Sequence, residues 1–366
     1  MFKKITAIIL GICFIFALSS CGEKTDSSPL KDSKFIASKV DKETSLKYDE
    51  YTDYVIVTGI ADAPDHIRIP KILGEKEVKA IGKDAFRDMG WVQSITIPDS
   101  VSEIGEGAFY GAISAESILL SENLYEIGSS AFYGCRNVKN VRLPLGLKII
   151  GGFAFADCVK LEGITIPKGV TSVGGGAFAG TEWLGKQTDE FVIAGDNVLI
   201  HYNGDDEKVT VPEEVKVVSA FYDNFFVKEV TLPESVQEIG EYAFINTSLT
   251  KITFNDDMKK IGKSAFDSCL NLEEIALNEK LKEIGDFAFS ACTSLKEITI
   301  PEKVEFIGDG AFARCEELTS LTLLSERTEI GENICDSCGD SLTIACPKNS
   351  PVIDYTKENG FILDII

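Results

Sequence analysis

The sequence is poor in histidine. His66 and His201 are its only two, so imidazole-based catalysis and His-rich metal sites have almost nothing to build on. Positive charge is also scarce: 36 Lys and Arg stand against 58 Asp and Glu, a net charge of −22. That excludes the clustered basic surface needed to neutralise nucleic-acid phosphates and any electrostatic docking on an anionic membrane. No apolar stretch is long enough for a bilayer-spanning helix, which takes about 20 residues; the run at 5–18 has 14. Gly174-Gly175-Gly176 is followed by no Lys-Ser/Thr pair, so it is no phosphate-binding loop and reads as an ordinary repeat corner. No nucleophile, base and acid stand in a catalytic arrangement. Nothing in the chain points to an enzyme or to a cofactor.

What is present begins at the N-terminus. Lys3 and Lys4 precede the 14-residue apolar run, which has the length of a signal-peptide core. Leu18-Ser19-Ser20-Cys21-Gly22 follows and resembles the bacterial lipobox. The resemblance implies a signal peptide over 1–20, lipidation of Cys21 and a membrane partner reached through that lipid. Each buried CH₂ of an acyl chain is worth about 0.8 kcal/mol, so two or three chains hold firmly where one is marginal. Residues 21–46 are polar and charged without apolar periodicity and read as a flexible tether.

The rest is dominated by internal repetition. Ile-Gly-x-x-Ala-Phe begins at Ile81, Ile104, Ile127 and Ile150, with Val173 in the same phase, and again at Ile239, Ile261, Ile284 and Ile307. A weaker copy starts at Ile330, and a shortened one is Val218-Ser219-Ala220-Phe221. The spacing is 23 residues through Val173, breaks for 45, and returns to 23 from Ile261. Within a unit a Cys or Thr follows the Phe by three residues, then Leu or Val, then a short alternating strand ending in Pro, such as Ile164-Thr165-Ile166-Pro167. A strand of four residues cannot bury its own apolar face. Stacked copies can pair edge to edge and share one core, which is a solenoid. The Phe fills the interior of each turn. The Gly after each Ile serves either unusual backbone angles or close approach of neighbouring turns.

This unit resembles the Treponema pallidum type of leucine-rich repeat found in BspA-like bacterial surface proteins, over about residues 47–366. The resemblance implies a leucine-rich-repeat solenoid, right-handed and mainly β with short irregular or helical convex segments, of about eleven turns. It implies a cap over 47–80, an array over 81–346 and a closing cap over 347–366. It also implies surface adhesion to a protein partner. An envelope-scaffold lipoprotein without an external ligand is the alternative.

Ten cysteines occur, eight of them in the repeat region. Cys269, Cys292, Cys315 and Cys338 are one unit apart, as are Cys135 and Cys158. They read as a ladder of buried thiols donating weakly to backbone, although an oxidising compartment would permit disulfides. Cys335-x-x-Cys338 with Cys346 lacks the fourth ligand of a zinc site. Asp205-Asp206-Glu207 after Asn203-Gly204 reads as a solvated turn.

Two regions are candidates for recognition. One is the row of outward strand residues, mostly Thr and including Arg142, Thr165 and Thr231, on a presumed concave sheet. The other is the break in period, where residues 191–202 read as a hairpin inserted at 182–210. Insertions in repeat arrays often carry binding, and aromatic residues and Arg carry most interface energy. Arg142, Thr165, Trp183, Tyr202 and Thr231 are therefore the candidate partner-binding residues, against a rival reading in which Trp183 and Phe191 merely seal the core.

Overall fold

The computed structural model describes Leu30 and residues 33–366; the leader and Cys21 lie outside the described residues. The repeat builds a β-solenoid of about 14 turns. The motif count fell short at eleven because the cap turns continue the stacking without an Ile-Gly-x-x-Ala-Phe signature. The strand Tyr54–Ile60 pairs in parallel with Lys76–Ile81 at the start of one row of strands, and Ile362–Ile365 pairs in parallel with Thr343–Cys346 to close the other.

Two rows of strands run along the solenoid. The Ile-Gly row forms a nine-stranded and an eight-stranded sheet. The Pro row forms four smaller sheets on another side. The Ala-Phe segments make a third wall, where Phe109 N–H donates to Ala131 O and Phe132 N–H to Ala154 O, each at 2.8 Å. Turn spacing follows from strand pairing at about 4.8 Å, which brings equivalent side chains into register. The interior is consequently two stacks of phenylalanine. Phe86, Phe109, Phe132, Phe155 and Phe178 form one, and Phe221, Phe244, Phe266, Phe289 and Phe312 the other. Centroids lie 5.0–5.7 Å apart with planes within 11°, within the preferred range for aromatic pairs.

The structure decides what the repeated glycine does. At Gly128 an added Cβ would lie 2.6 Å from Glu106 N of the preceding turn, and the residue's φ is not in the left-handed region. Close approach of neighbouring turns is its role. The left-handed corners fall two residues later, at Asp84 and Asn333, residue types that tolerate that conformation, but also at Ser130, Ser264 and the bulky Phe153, Tyr242 and Phe287.

The tether reading of 21–46 does not hold over its second half. Phe35–Val40 is a strand paired antiparallel with Leu46–Tyr51, which pairs with Tyr54–Ile60. Ser38 Oγ donates to Asp49 Oδ1 at 2.6 Å and Lys39 pairs with Glu50. The strand is exposed along almost its whole length, so no apolar alternation marked it in the sequence.

The period breaks at a short helix, Glu182–Gly185, capped by Thr181, followed by the antiparallel hairpin Phe191–Ala194 with Val198–Tyr202. The hairpin is built into the stack. Its second strand pairs in parallel with Val217–Val218 and takes the place of an Ile-Gly strand. The nine-stranded sheet ends before it and the eight-stranded one starts with it. Asp196 N–H donating to Val170 O at 2.7 Å bridges the gap.

At this break the array folds back on itself. Glu241, next to Gly240 of a later turn, reaches three earlier turns. Its Oε2 accepts from Ser129 Oγ at 2.8 Å and from Gly152 N–H at 3.0 Å, and its backbone O accepts from Gly175 N–H at 2.6 Å. Lys263 Nζ lies 3.1 Å from Glu106, and Phe153 lies 5.3 Å from Tyr242, centroid to centroid. Cβ atoms at Gly152 or Gly175 would collide with Tyr242. Gly174-Gly175-Gly176 is thus more than a repeat corner; its middle residue is part of a socket for a turn some 65 residues downstream. These contacts sit beside the Ile-Gly strands, so the Ile-Gly side closes inward and the Thr-bearing Pro row is not the inner face.

Candidate recognition surface

The outward positions of the Pro row are exposed, as strand alternation requires. Val141 pairs with Ile164, which sets Arg142 beside Thr165. Arg142 extends into solvent and pairs with Glu122 at 3.4 Å. Thr231 lies in a different sheet, between Thr210 and Thr253. The five candidate residues therefore do not form one contiguous patch.

The aromatic candidates behave differently. Tyr202 is only 3% exposed; its ring lies 5.3 Å from Phe221 and 5.2 Å from Phe191. It heads the second Phe stack, which corrects its assignment as a contact residue. Trp183 is half-buried and meets Phe178 edge-on at 5.0 Å and 60°, covering the end of the first stack. The sealing role is what the geometry gives to both rings, because a flat apolar face at a broken stack must be covered.

The turn just after closes the segment from Trp183 to Phe226 in which the repeat symmetry is broken, although neither of its phenylalanines stood among the candidate residues. Phe225 and Phe226 are each 61% exposed. Asn224 Oδ1 accepts from the backbone N–H of Phe226 at 3.0 Å and of Val227 at 2.9 Å, and Asp223 adopts a left-handed φ of 53°. The pair is thus displayed on a pinned turn. Aligning the turns sets it apart: the same two positions hold polar pairs such as Arg136-Asn137, Thr293-Ser294 and Glu316-Glu317, or one exposed apolar residue, as at Trp91, Ile113, Val159 and Leu270, but an aromatic pair in this turn. A cleft of about 290 Å³ adjoins this turn, another of about 280 Å³ lies beyond it, and His201 and Tyr222 line both. Burial lowers the pKa of His201 against the opposing effect of Asn203, so its ring is neutral at pH 7. Burial raises Tyr222 to about 12.

The cysteines make a ladder. Sγ of Cys158, Cys292 and Cys315 donates to the carbonyl of Phe132, Phe266 and Phe289, the Phe one turn back, at 3.1–3.2 Å. All eight described cysteines are free thiols. Burial raises Cys269 to about 12, far from thiolate chemistry. Cys335 and Cys338 share a hydrogen bond that raises the first and lowers the second. Among the described residues, no group of three or more His, Cys, Asp or Glu is placed to hold a metal ion.

On the inner side, burial and then the carboxylates of Glu103 and Glu241 push Glu126 up to about 7, against the opposing pull of Lys260. Closing the array has enclosed like charges.

With the repeat geometry in place, its kinship can be tested. The model of the BspA type leucine rich repeat region matches residues 65–185 and 217–341, in six copies. The chain belongs to this family. The match stops where the helix and hairpin interrupt the BspA-type array and resumes where the period does. Among solved structures, a leucine-rich repeat protein from Bacteroides ovatus is 25% identical, covering 91% of this chain and 98% of that one, with a TM-score of 0.37. A leucine rich cell surface protein from Faecalibacterium prausnitzii is 23% identical over 79% and 95%, TM-score 0.38. The T. pallidum leucine-rich repeat protein is 21% identical over 70% and 91%, TM-score 0.38. No curated protein matches the chain. BspA-type proteins are typically non-enzymatic and found at the cell surface. Among the described residues, no helix is long and apolar enough to cross a membrane.

Proposed function

We propose that this BspA-type protein is a non-catalytic bacterial surface protein, anchored through lipid on Cys21, that recognises a protein partner in the manner of an adhesin. The observation that carries the reading is the contrast between a long array regular enough to be explained by packing and a pinned, exposed aromatic turn that packing does not require. An exposed Phe pair costs solubility and gives the core nothing. Strong net negative charge favours protein over nucleic-acid partners. Support for the anchor is the lipobox-like Leu18-Ser19-Ser20-Cys21.

Two experiments test this. Replacing Cys21 with Ala in the full chain shifts it from the membrane fraction to the soluble one; unchanged fractionation removes the anchor. A pull-down of surface and matrix proteins with residues 22–366 yields a partner that binds saturably; the absence of any saturable partner favours the scaffold reading.

A further inference from the structure

The Phe225-Phe226 turn has surroundings that specify its occupant. The two clefts, about 280 and 290 Å³, lie at the small end of the roughly 300–1,000 Å³ range of binding pockets and have room for a side chain. Their rim is acidic. Asp223 lines one cleft, and Asp206 Oδ2 accepts from the hydroxyl of Tyr202, which lines the same cleft, at 3.5 Å. On the other side Asn203, lining the first cleft, donates to the backbone O of Asp189 at 2.7 Å. Glu190 follows directly in the chain.

The lysines nearby are already committed. Lys186 pairs with Glu162 and Glu182, Lys208 with Glu229, and Lys228 with Glu207. Asp189, Glu190, Asp206 and Asp223 take part in no salt bridge among the described residues. His201, between the clefts, adds no positive charge at neutral pH. The surface thus offers two exposed aromatic faces, which attract cations as well as apolar groups, beside carboxylates without cationic partners.

We infer that the Phe225-Phe226 turn and the clefts beside His201 dock a cationic segment of a partner protein, one in which Lys or Arg flanks an aromatic side chain. This rests on the protein-recognition reading above and gives it a place and a chemistry. The aromatic side chain packs on Phe225 and Phe226, and the flanking cations meet Asp206 and Asp223 on one side and Asp189 and Glu190 on the other.

The test uses the full chain and three synthetic 12-residue peptides: one alternating Lys or Arg with Trp or Phe, one with Glu for every cation, and one with Ala for every aromatic. Calorimetry at low and high salt gives the affinities. The cationic aromatic peptide binds, and each altered peptide binds at least tenfold more weakly. Joint replacement of Phe225→Ser and Phe226→Ser costs tenfold or more at unchanged melting temperature. Asp206→Asn with Asp223→Asn flattens the salt dependence. Equal binding of the Glu peptide, wild-type affinity in the folded double-Ser variant, or no binding of the cationic peptide overturns the inference. Should a partner from the pull-down bind the double-Ser variant as tightly as wild type, this siting fails while recognition stands. If no saturable partner is found, the recognition reading itself fails.

Discussion

The stretch from Ile261 to Ile330 and the stretch from Glu182 to Lys216 solve the same problem differently. In the first, Phe266 and Phe289 each lie between two further phenylalanines. Phe266 sits between Phe244 and Phe289 at 5.2 Å on both sides, and both faces are covered by repetition. In the second, the repeat stops and the two stack ends are closed by unlike residues, Trp183 on Phe178 and Tyr202 on Phe221. Repetition gives stability that is shared along the chain. Interruption gives shape. In the turn after it Phe225 and Phe226 are exposed together, and beyond it the array turns back so that Glu241 meets Ser129 and Gly152. The regular part holds the protein folded, and the irregular part makes one region of its surface different from the rest.

The largest effect should come from the regular part. Phe266→Ala opens a cavity with aromatic rings on both sides and costs about 3–5 kcal/mol in chemical denaturation. A loss below about 0.5 kcal/mol would place Phe266 outside the core.

Next is the enclosed side created by the fold-back. Glu126 has a folded-state pKa of about 7 against 4.5 unperturbed. Between those values the unfolded chain loses a proton that the folded protein keeps, so stability falls as pH rises through that window and the loss is complete above it. Glu126→Gln removes the effect. The variant melts at the wild-type temperature at pH 4 and is more stable by about 3 kcal/mol at pH 8. Equal stability at both pH values would show that Glu126 is not enclosed.

Trp183→Ala tests the interruption. The ring is half-buried and meets the core edge-on, so the loss is about 1–2 kcal/mol, smaller than at Phe266. A loss as large as that at Phe266 would make the seal equivalent to a repeat turn. The smallest effect is at Arg142, whose ion pair with Glu122 is exposed on both sides; Arg142→Ala changes stability by under about 0.5 kcal/mol.

The same contrast explains how much could be read from sequence. Period and phase were legible because each turn repeats the same burial problem, so Phe266, Phe289 and the cysteine ladder follow from spacing alone. The hairpin was legible from its alternation and its Gly195-Asp196-Asn197 turn. The fold-back was not: Glu241 and Tyr242 occupy positions that vary freely in every turn, and contact with Gly152 and Gly175 depends on how far the interruption rotates one half against the other. For the same reason Tyr202 was misplaced at the surface, since a hairpin's two faces are told apart only by what it packs on. The strand Phe35–Val40 left no trace because almost nothing in it is buried. Phe225 and Phe226 suggest core by their apolar character; aligned turns instead place polar pairs or a single exposed apolar residue, such as Trp91, Ile113, Val159 or Leu270, at these positions.

The central claim is that the interruption closes the array on itself. Glu106 tests it directly, because it lies 3.0 Å from Lys83 of the adjacent turn and 3.1 Å from Lys263, 157 residues away. A zero-length carbodiimide cross-linker joins carboxylates to amines already in contact. Peptide mapping by mass spectrometry should recover both the Glu106–Lys83 and the Glu106–Lys263 linkages at low protein concentration. Recovery of the Lys83 linkage alone would contradict the account, since it would show a reactive Glu106 in an array that stays open.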